Sequence, residues 1–476
     1  MSLRNSLSRC GCTLTVVILL QGCAHYVVNA EKVRDRADLA YRFNVQAEGN
    51  NTDSLFLCLA FSGGGTRAAA LSYGVLEKLR GTHITWKGVE KRLLDEVDCV
   101  SSISGGSFTA AYYGLFGDRI FQEFRGRFLE NNVERALLWK LFNPVNWARL
   151  ASPYFSRIDL AAEYYDRELF EGYTFDSLAR ASRRPFVILN ATNMANGERF
   201  EFTQEQFDFI ASDLSSYPVA RAVAASSAFP ILLSPITLKN YPHTNFVLPK
   251  EYASGLEDYD FNRRRYHWAK NRAIYQDDAR LPYLHLMDGG LADNIGLRPI
   301  EAAYQRSSGF IRKLLNDGKI EKFVVIVVNA RTADKDEISE DESSPGLKVV
   351  ASKTATVAME NYSVETVEVL RELRKERVKA QKNIAACQKR LDQCSGAAPL
   401  PKFAGEIDPY VIEVNFEALK DHKRREYFLS LPTSFSLTKE QVQSLIDVGP
   451  QLLNDSPDYQ DFLRDLAVPD ESAPVR

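Results

Sequence analysis

The chain has 476 residues, 45% hydrophobic and 25% charged, the composition of an ordinary globular protein with room for a large core or about two to three average domains. Its formal net charge of -3 gives no electrostatic reason to expect a nucleic-acid partner. Membrane contact has to be argued from local segments.

The N-terminus supplies one. Arg4 and Arg9 form a basic start, Thr13 to Leu20 a short apolar core, and Leu20-Gln21-Gly22-Cys23 follows at once. A run this short does not cross a bilayer but fits the apolar region of a secretory signal. Leu20-Gln21-Gly22-Cys23 resembles a bacterial lipobox, which implies that residues 1–22 are a signal peptide and that Cys23 is the lipidated first residue of the mature chain; a plain signal peptide cut nearby is the alternative. Acyl chains contribute about 0.8 kcal/mol per buried methylene, enough for stable anchoring with more than one chain. Ala24, rather than aspartate, follows the cysteine, so the expected location is the bacterial envelope, as an outer-membrane lipoprotein facing the periplasm.

Residues 23–53 read as a tether and residues 54–335 as the main folded domain. Leu55 to Phe61 is a continuous apolar run, expected as a buried strand, and Ser62-Gly63-Gly64-Gly65-Thr66 opens a helix through Ala68 to Leu79. A second strand, Val97 to Val100, leads through Ser102-Ile103-Ser104-Gly105-Gly106 into a helix over Ser107 to Leu115. Two strand–turn–helix units in series predict a mainly parallel sheet covered by helices, an α/β fold. The stretch from Phe121 through Trp139, Phe142 and Trp147 to Phe155 reads as helices covering the sheet; a lid or membrane-facing surface is the sharper alternative. Further strands are expected at Pro185 to Ala191, Glu198 to Thr203, Tyr283 to Met287 and Phe323 to Val328, the last two as interior parallel strands.

Residues 336–400 read as an acidic loop followed by charged amphipathic helix, with Leu370, Leu373, Ala380, Ile384, Cys387 and Leu391 at helical spacing from about Val364 to Cys394. Residues 401–476 supply a strand, Tyr410 to Phe416, and a helix capped by Thr438 and Gln441 that pack on the core. Cys58 and Cys99, on neighbouring strands, are expected as unpaired core thiols. Cys387 and Cys394 would stand about 10 Å apart on a continuous helix, so a bridge there requires the helix to break; in an oxidising compartment it stays open.

Ser104 sits where a sharp strand-to-helix turn exposes a hydroxyl, as in a nucleophile elbow, although Ser102 stands where glycine is usual. Gly63, Gly64 and Gly65 offer backbone N–H groups at a helix N-terminus, a site suited to an oxyanion. Arg67 either reinforces that positive field or braces the loop. Gly63-x-Gly65-x-x-Ala68 with Glu90 also fits a dinucleotide-binding fingerprint, a weak signal that leaves Ser104 without a role. None of the histidines has a catalytic context, and His285 falls on the opposite strand face from Asp288. Asp288, ending an apolar strand before Gly289 and Gly290, is the candidate base.

Taken in order, Ser62 to Arg67, Ser102 to Gly106 and Asp288-Gly289-Gly290, with Ala225-Ser226-Ser227-Ala228-Phe229-Pro230 between, resemble the patatin-like phospholipases over about residues 54–330. The resemblance implies a three-layer patatin-like fold with a C-terminal helical extension. It also implies a Ser104–Asp288 dyad without histidine, a Gly63–Gly65 oxyanion loop with Arg67, a lipid acyl-ester substrate, and no metal or cofactor. Asn294 is expected to be structural. A non-catalytic lipoprotein that binds a partner through its charged helix is the competing class.

Overall fold

A computed structural model describes residues 24–32, 41–45, 51–52, 54–181, 184–230, 232–243, 246–333, 339, 342–391, 393 and 409–467. Cys23, Cys394 and most of the acidic stretch lie outside them, and so do the expectations placed on those residues. Among the described residues the central sheet has eight strands: β1 Leu55–Phe61, β2 Val97–Ile103, β3 Phe186–Asn193, β4 Arg199–Glu201, β5 Ile236–Lys239, β6 Tyr283–Asp288, β7 Lys322–Asn329 and β8 Pro409–Asn415. Their order is β8-β7-β1-β2-β3-β6-β5, with β4 added to β3.

The five strands β8, β7, β1, β2 and β3 run parallel. β1, β2 and β3 are buried at every position, as strands covered on both faces must be. β6 departs from the parallel strand expected there. It pairs antiparallel with both β3 and β5, and its side chains alternate, with Tyr283 and His285 exposed and Leu284, Leu286 and Asp288 buried. The polar His285 between two leucines carried that period-two signal. β5, too short to stand out from its flanks, was not expected at all.

Seven helices matter for the site: α1 Gly65–Gly81, α2 Ser104–Phe116, α3 Val133–Leu141, α4 Pro144–Leu150, α5 Val219–Ser226, α6 Leu347–Leu391 and α7 Lys439–Asp455. α7 starts with the expected capping box, Thr438 and Gln441 bonding each other's backbone amides. It crosses α1 closely, because a Cβ on Gly74 would stand 2.3 Å from the Ile446 carbonyl oxygen. The C-terminal segment therefore fixes the helix that carries the glycine loop. β8 in turn extends the sheet beyond β7, so residues after 400 belong to the same core.

α6 begins some seventeen residues earlier than the charged stretch at Val364, right after Pro345 and Gly346, and contains neither glycine nor proline. Val367 and Leu370 join the core and Met359 is buried, so this part of its apolar stripe docks on the protein itself.

One expectation is overturned. Cys58 and Cys99 are joined in a disulfide with a Cα–Cα distance of 4.6 Å. They face each other directly in the β1–β2 register, which brings adjacent parallel strands within bridging distance. Both were expected as thiols because burial in apolar runs suits either state.

Candidate active site

The site forms where β1 and β2 each turn into a helix, at the carboxyl ends of the parallel strands. β2 runs to Ile103, and Ser104 opens α2 with φ of +46°. A left-handed conformation at a residue with a Cβ costs of order 1–3 kcal/mol and persists only where neighbours over-determine it. Here they do. The Ser104 amide donates to Ser226 Oγ at 2.9 Å, Ser226 Oγ lies 2.9 Å from Ser107 Oγ, and Ser107 Oγ donates to Ser102 Oγ at 3.1 Å. All four serines are buried. Ser102, at the position where glycine is usual, is therefore one end of a hydroxyl chain that holds the turn. Ser102, Ser104 and Ser226 each belong to a motif in the sequence, whereas Ser107 marked only the start of a helix and its link to them is tertiary.

Asp288 ends β6 next to Ala191 of β3, and its backbone amide donates to the Ala228 carbonyl at 3.0 Å. It is 3% exposed. Its carboxylate accepts the Gly290 amide at 2.8 Å and the Ser104 hydroxyl. Burial pushes its pKa up to about 7, against the lowering effect of those two hydrogen bonds. His285 points away, its ring bonded to Thr237 at 3.1 Å. The structure thus brings Ser104 and Asp288 together without a histidine.

The glycine loop packs directly over the elbow. Gly64 and Gly65 have φ of +136° and +60°. A Cβ on Gly105 would meet the Gly65 carbonyl oxygen at 2.0 Å. The Gly63 amide donates to the Asn294 carbonyl at 2.9 Å, so it is committed to structure. The Gly64 and Gly65 amides make no hydrogen bond among the described residues, which leaves them, rather than Gly63, as the loop's available donors. Asn294 also places its side-chain oxygen against Gly63 and Gly290, where a Cβ would meet it at 2.6 and 2.9 Å.

Arg67 braces the loop. It is 3% exposed, and donates from Nε to Ala330 O at 2.9 Å, from Nη1 to Leu431 O at 2.7 Å and from Nη2 to Thr433 Oγ1 at 3.0 Å. The preceding residue, Thr66, gives its amide to Ser434 O at 2.9 Å. The Leu431–Ser434 segment is a clamp that no local sequence pattern announces, because it meets the loop from the far end of the chain. Glu90, the other half of the dinucleotide pattern, lies on the exposed hairpin His83–Trp86/Val89–Arg92.

A cavity of about 60 Å³ opens on Ser104 and Asp288. Phe229, Arg331, and Thr356 and Met359 of α6 close it from the sides. Arg331 Nε is buried without a hydrogen-bond partner. A hydroxyl hydrogen-bonded to a carboxylate, beside free amides at a helix N-terminus, is an arrangement able to form and stabilise a tetrahedral oxyanion.

The chain belongs to the patatin-like phospholipase family, whose domain model matches residues 59–304. That span contains the glycine loop, the elbow and Asp288. Membership implies a lipid ester hydrolase. Among solved structures, human GIVD cytosolic phospholipase A2 superposes with a TM-score of 0.42 at 12% identity, covering 87% of this chain. The chain spans 62% of that protein's length. VipD from Legionella pneumophila follows at a TM-score of 0.26 and 11% identity, covering 83% of this chain and 67% of that one. No curated protein sequence matches.

Replacing Arg67 by methionine removes three charge-assisted hydrogen bonds from the clamp and is expected to lower unfolding stability by roughly 2–4 kcal/mol. Denaturant unfolding measures this; an unchanged midpoint would show that Arg67 does not hold the loop.

Proposed function

We propose that the protein is a membrane-anchored serine acyl hydrolase that cleaves acyl esters of phospholipids or lysophospholipids. The observation that carries this reading is the Ser104 hydroxyl donating to the buried Asp288 carboxylate from a left-handed turn. Asp288 accepts the proton as Ser104 Oγ attacks the ester carbonyl. The Gly64 and Gly65 amides, with the positive end of α1 behind them, stabilise the oxyanion, Arg67 holds their loop, and the proton passes from Asp288 to the leaving alcohol. Water, deprotonated by Asp288, then attacks the Ser104 ester, and the fatty acid leaves as Asp288 returns the proton to Ser104 Oγ. Arg331 supplies positive charge in the same cavity for a phosphoryl head group.

Anchoring through lipidated Cys23 draws support from its neighbour. Ala24 is 5% exposed and packs on Phe155 and Leu160, and its carbonyl accepts Ser152 Oγ at 2.7 Å. Ala24, the residue after Cys23, thus packs beside the surface that carries Leu138, Trp139, Phe142, Val145, Trp147 and Tyr154, which are 54% to 68% exposed on and after α3 and α4. Those helices do not bury their aromatics on the sheet, and an exposed apolar surface beside an acyl anchor suits a bilayer interface. α3 also meets the residue that follows the clamp, since the Val133 amide donates to Phe435 O at 3.2 Å.

Fatty-acid release from diacyl and lysophospholipids, followed by mass spectrometry, is expected to vanish in Ser104→Ala and to fall at least about a thousandfold in Asp288→Asn. Full hydrolysis by both variants contradicts the reading. With Cys23→Ser removing any acyl anchor, changing Trp139, Phe142 and Trp147 together to serine is expected to weaken binding to phosphatidylcholine vesicles by at least about tenfold, while hydrolysis of a soluble short-chain ester is unchanged. Equal vesicle binding would remove the patch from the account.

A further inference from the structure

Away from Ser104, a cleft of about 610 Å³ lies between the helix Arg263–Ala273, the helix Arg298–Gln305 and the Thr366–Val369 turn of α6. Six arginines and three glutamates line it. Three of the arginines decide its character. Arg199 is spoken for, donating to Glu201 from Nε at 3.0 Å and Nη2 at 2.8 Å. Arg272 is 4% exposed, makes no hydrogen bond or ion pair among the described residues, and has a buried Nη1 with no partner. Arg306 sets its guanidinium carbon over the Trp268 ring, 3.8 Å from the centroid, and has no carboxylate at ion-pair distance among the described residues.

Glu201 is the acid these three share. Burial opposes its ionisation, yet Arg199, Arg272 and Arg306 hold it below the usual carboxylate range. The glutamates that line the cleft make contacts of their own, and Glu251 Oε2 is buried without a hydrogen-bond partner. Glu198 takes Asn271 Nδ2 at 2.5 Å, Glu251 takes Ser307 Oγ at 3.2 Å, and Glu301 faces Arg264 at 3.4 Å. Burial first, then Arg199 and Arg272, push the Arg306 guanidinium down to about 9. The cleft's six arginines outnumber its three glutamates and Glu201, and Arg272 Nη1 is buried without a hydrogen-bond partner, an expensive arrangement for structure alone. A tetrahedral oxyanion would complete it, because guanidinium forks match phosphate oxygens two at a time.

We propose that this cleft is an anion site that binds a phosphate group, gripped by Arg272 and Arg306. The group is either free phosphate or the terminal phosphate of a lipid head group. The site is separate from the serine chemistry and stands or falls without it.

The test uses the full chain. Calorimetric titration with inorganic phosphate at constant ionic strength reads the soluble source; flotation with phosphatidylcholine vesicles, with and without phosphatidic acid, reads the lipid source. Saturable phosphate binding that weakens at least about tenfold in both Arg272→Gln and the more exposed Arg306→Gln supports the site. Binding that requires phosphatidic acid and is lost in both variants supports it with the head group as the source. Thermal unfolding without phosphate is expected to show neither variant melting below wild type, since each loses a surplus charge. Binding unchanged in both variants, binding to neither probe by the wild type, or a lowered melting temperature with binding intact would each overturn the proposal.

Discussion

The contact between the Gly65 carbonyl and the backbone of Gly105 governs this molecule. It brings the N-termini of α1 and α2 together at the ends of adjacent parallel strands, with no space for a side chain between them. Ser104 is held left-handed at that junction by the serine chain to Ser226, and the loop is held from the other side by Arg67 and the Leu431–Ser434 segment. Two partial positive helix ends then face one hydroxyl. The cost of the strained turn is carried by the surrounding hydrogen bonds, several of which come from residues more than a hundred positions away in the chain.

Asp288 acts on that junction through its burial. An exposed aspartate with an ordinary pKa would be a poor proton acceptor for a serine hydroxyl. Enclosed as it is, the carboxylate is raised to about 7, where about half of it is ionised at neutral pH and it is more basic than in water. The antiparallel pairing of β6 with β3 delivers it there with its side chain on the buried face, and sends His285 to solvent. That geometry places Asp288, rather than His285, in the cavity with Ser104.

Much of this was legible in the sequence, and what was not has physical reasons. The two strand–turn–helix units and Asp288-Gly289-Gly290 are local patterns, and the structure assembles them as one site. Gly63 was expected as an oxyanion donor, but only tertiary contact reveals that Asn294 takes its amide. The β1–β2 disulfide depends on register, which apolar runs do not encode. The parallel reading of β6 overlooked the alternation around His285. The upstream turns of α6, with Thr356 and Met359 against the reactive cavity, were readable from the unbroken run between Gly346 and Leu391. The clamp was not, because it is a meeting of segments more than three hundred residues apart.

The central claim is that buried Asp288 takes the proton of Ser104. Its most direct measurement is the rate at which a fluorophosphonate labels Ser104 as a function of pH, because labelling isolates nucleophile activation from lipid access. The ionised carboxylate is the active form, so the wild-type rate should climb from low pH with an apparent pKa of about 7 and level off above it, and Asp288→Asn should label slowly with no such limb. A wild-type rate indifferent to pH between about 5 and 9, or the same limb in Asp288→Asn, would contradict the account.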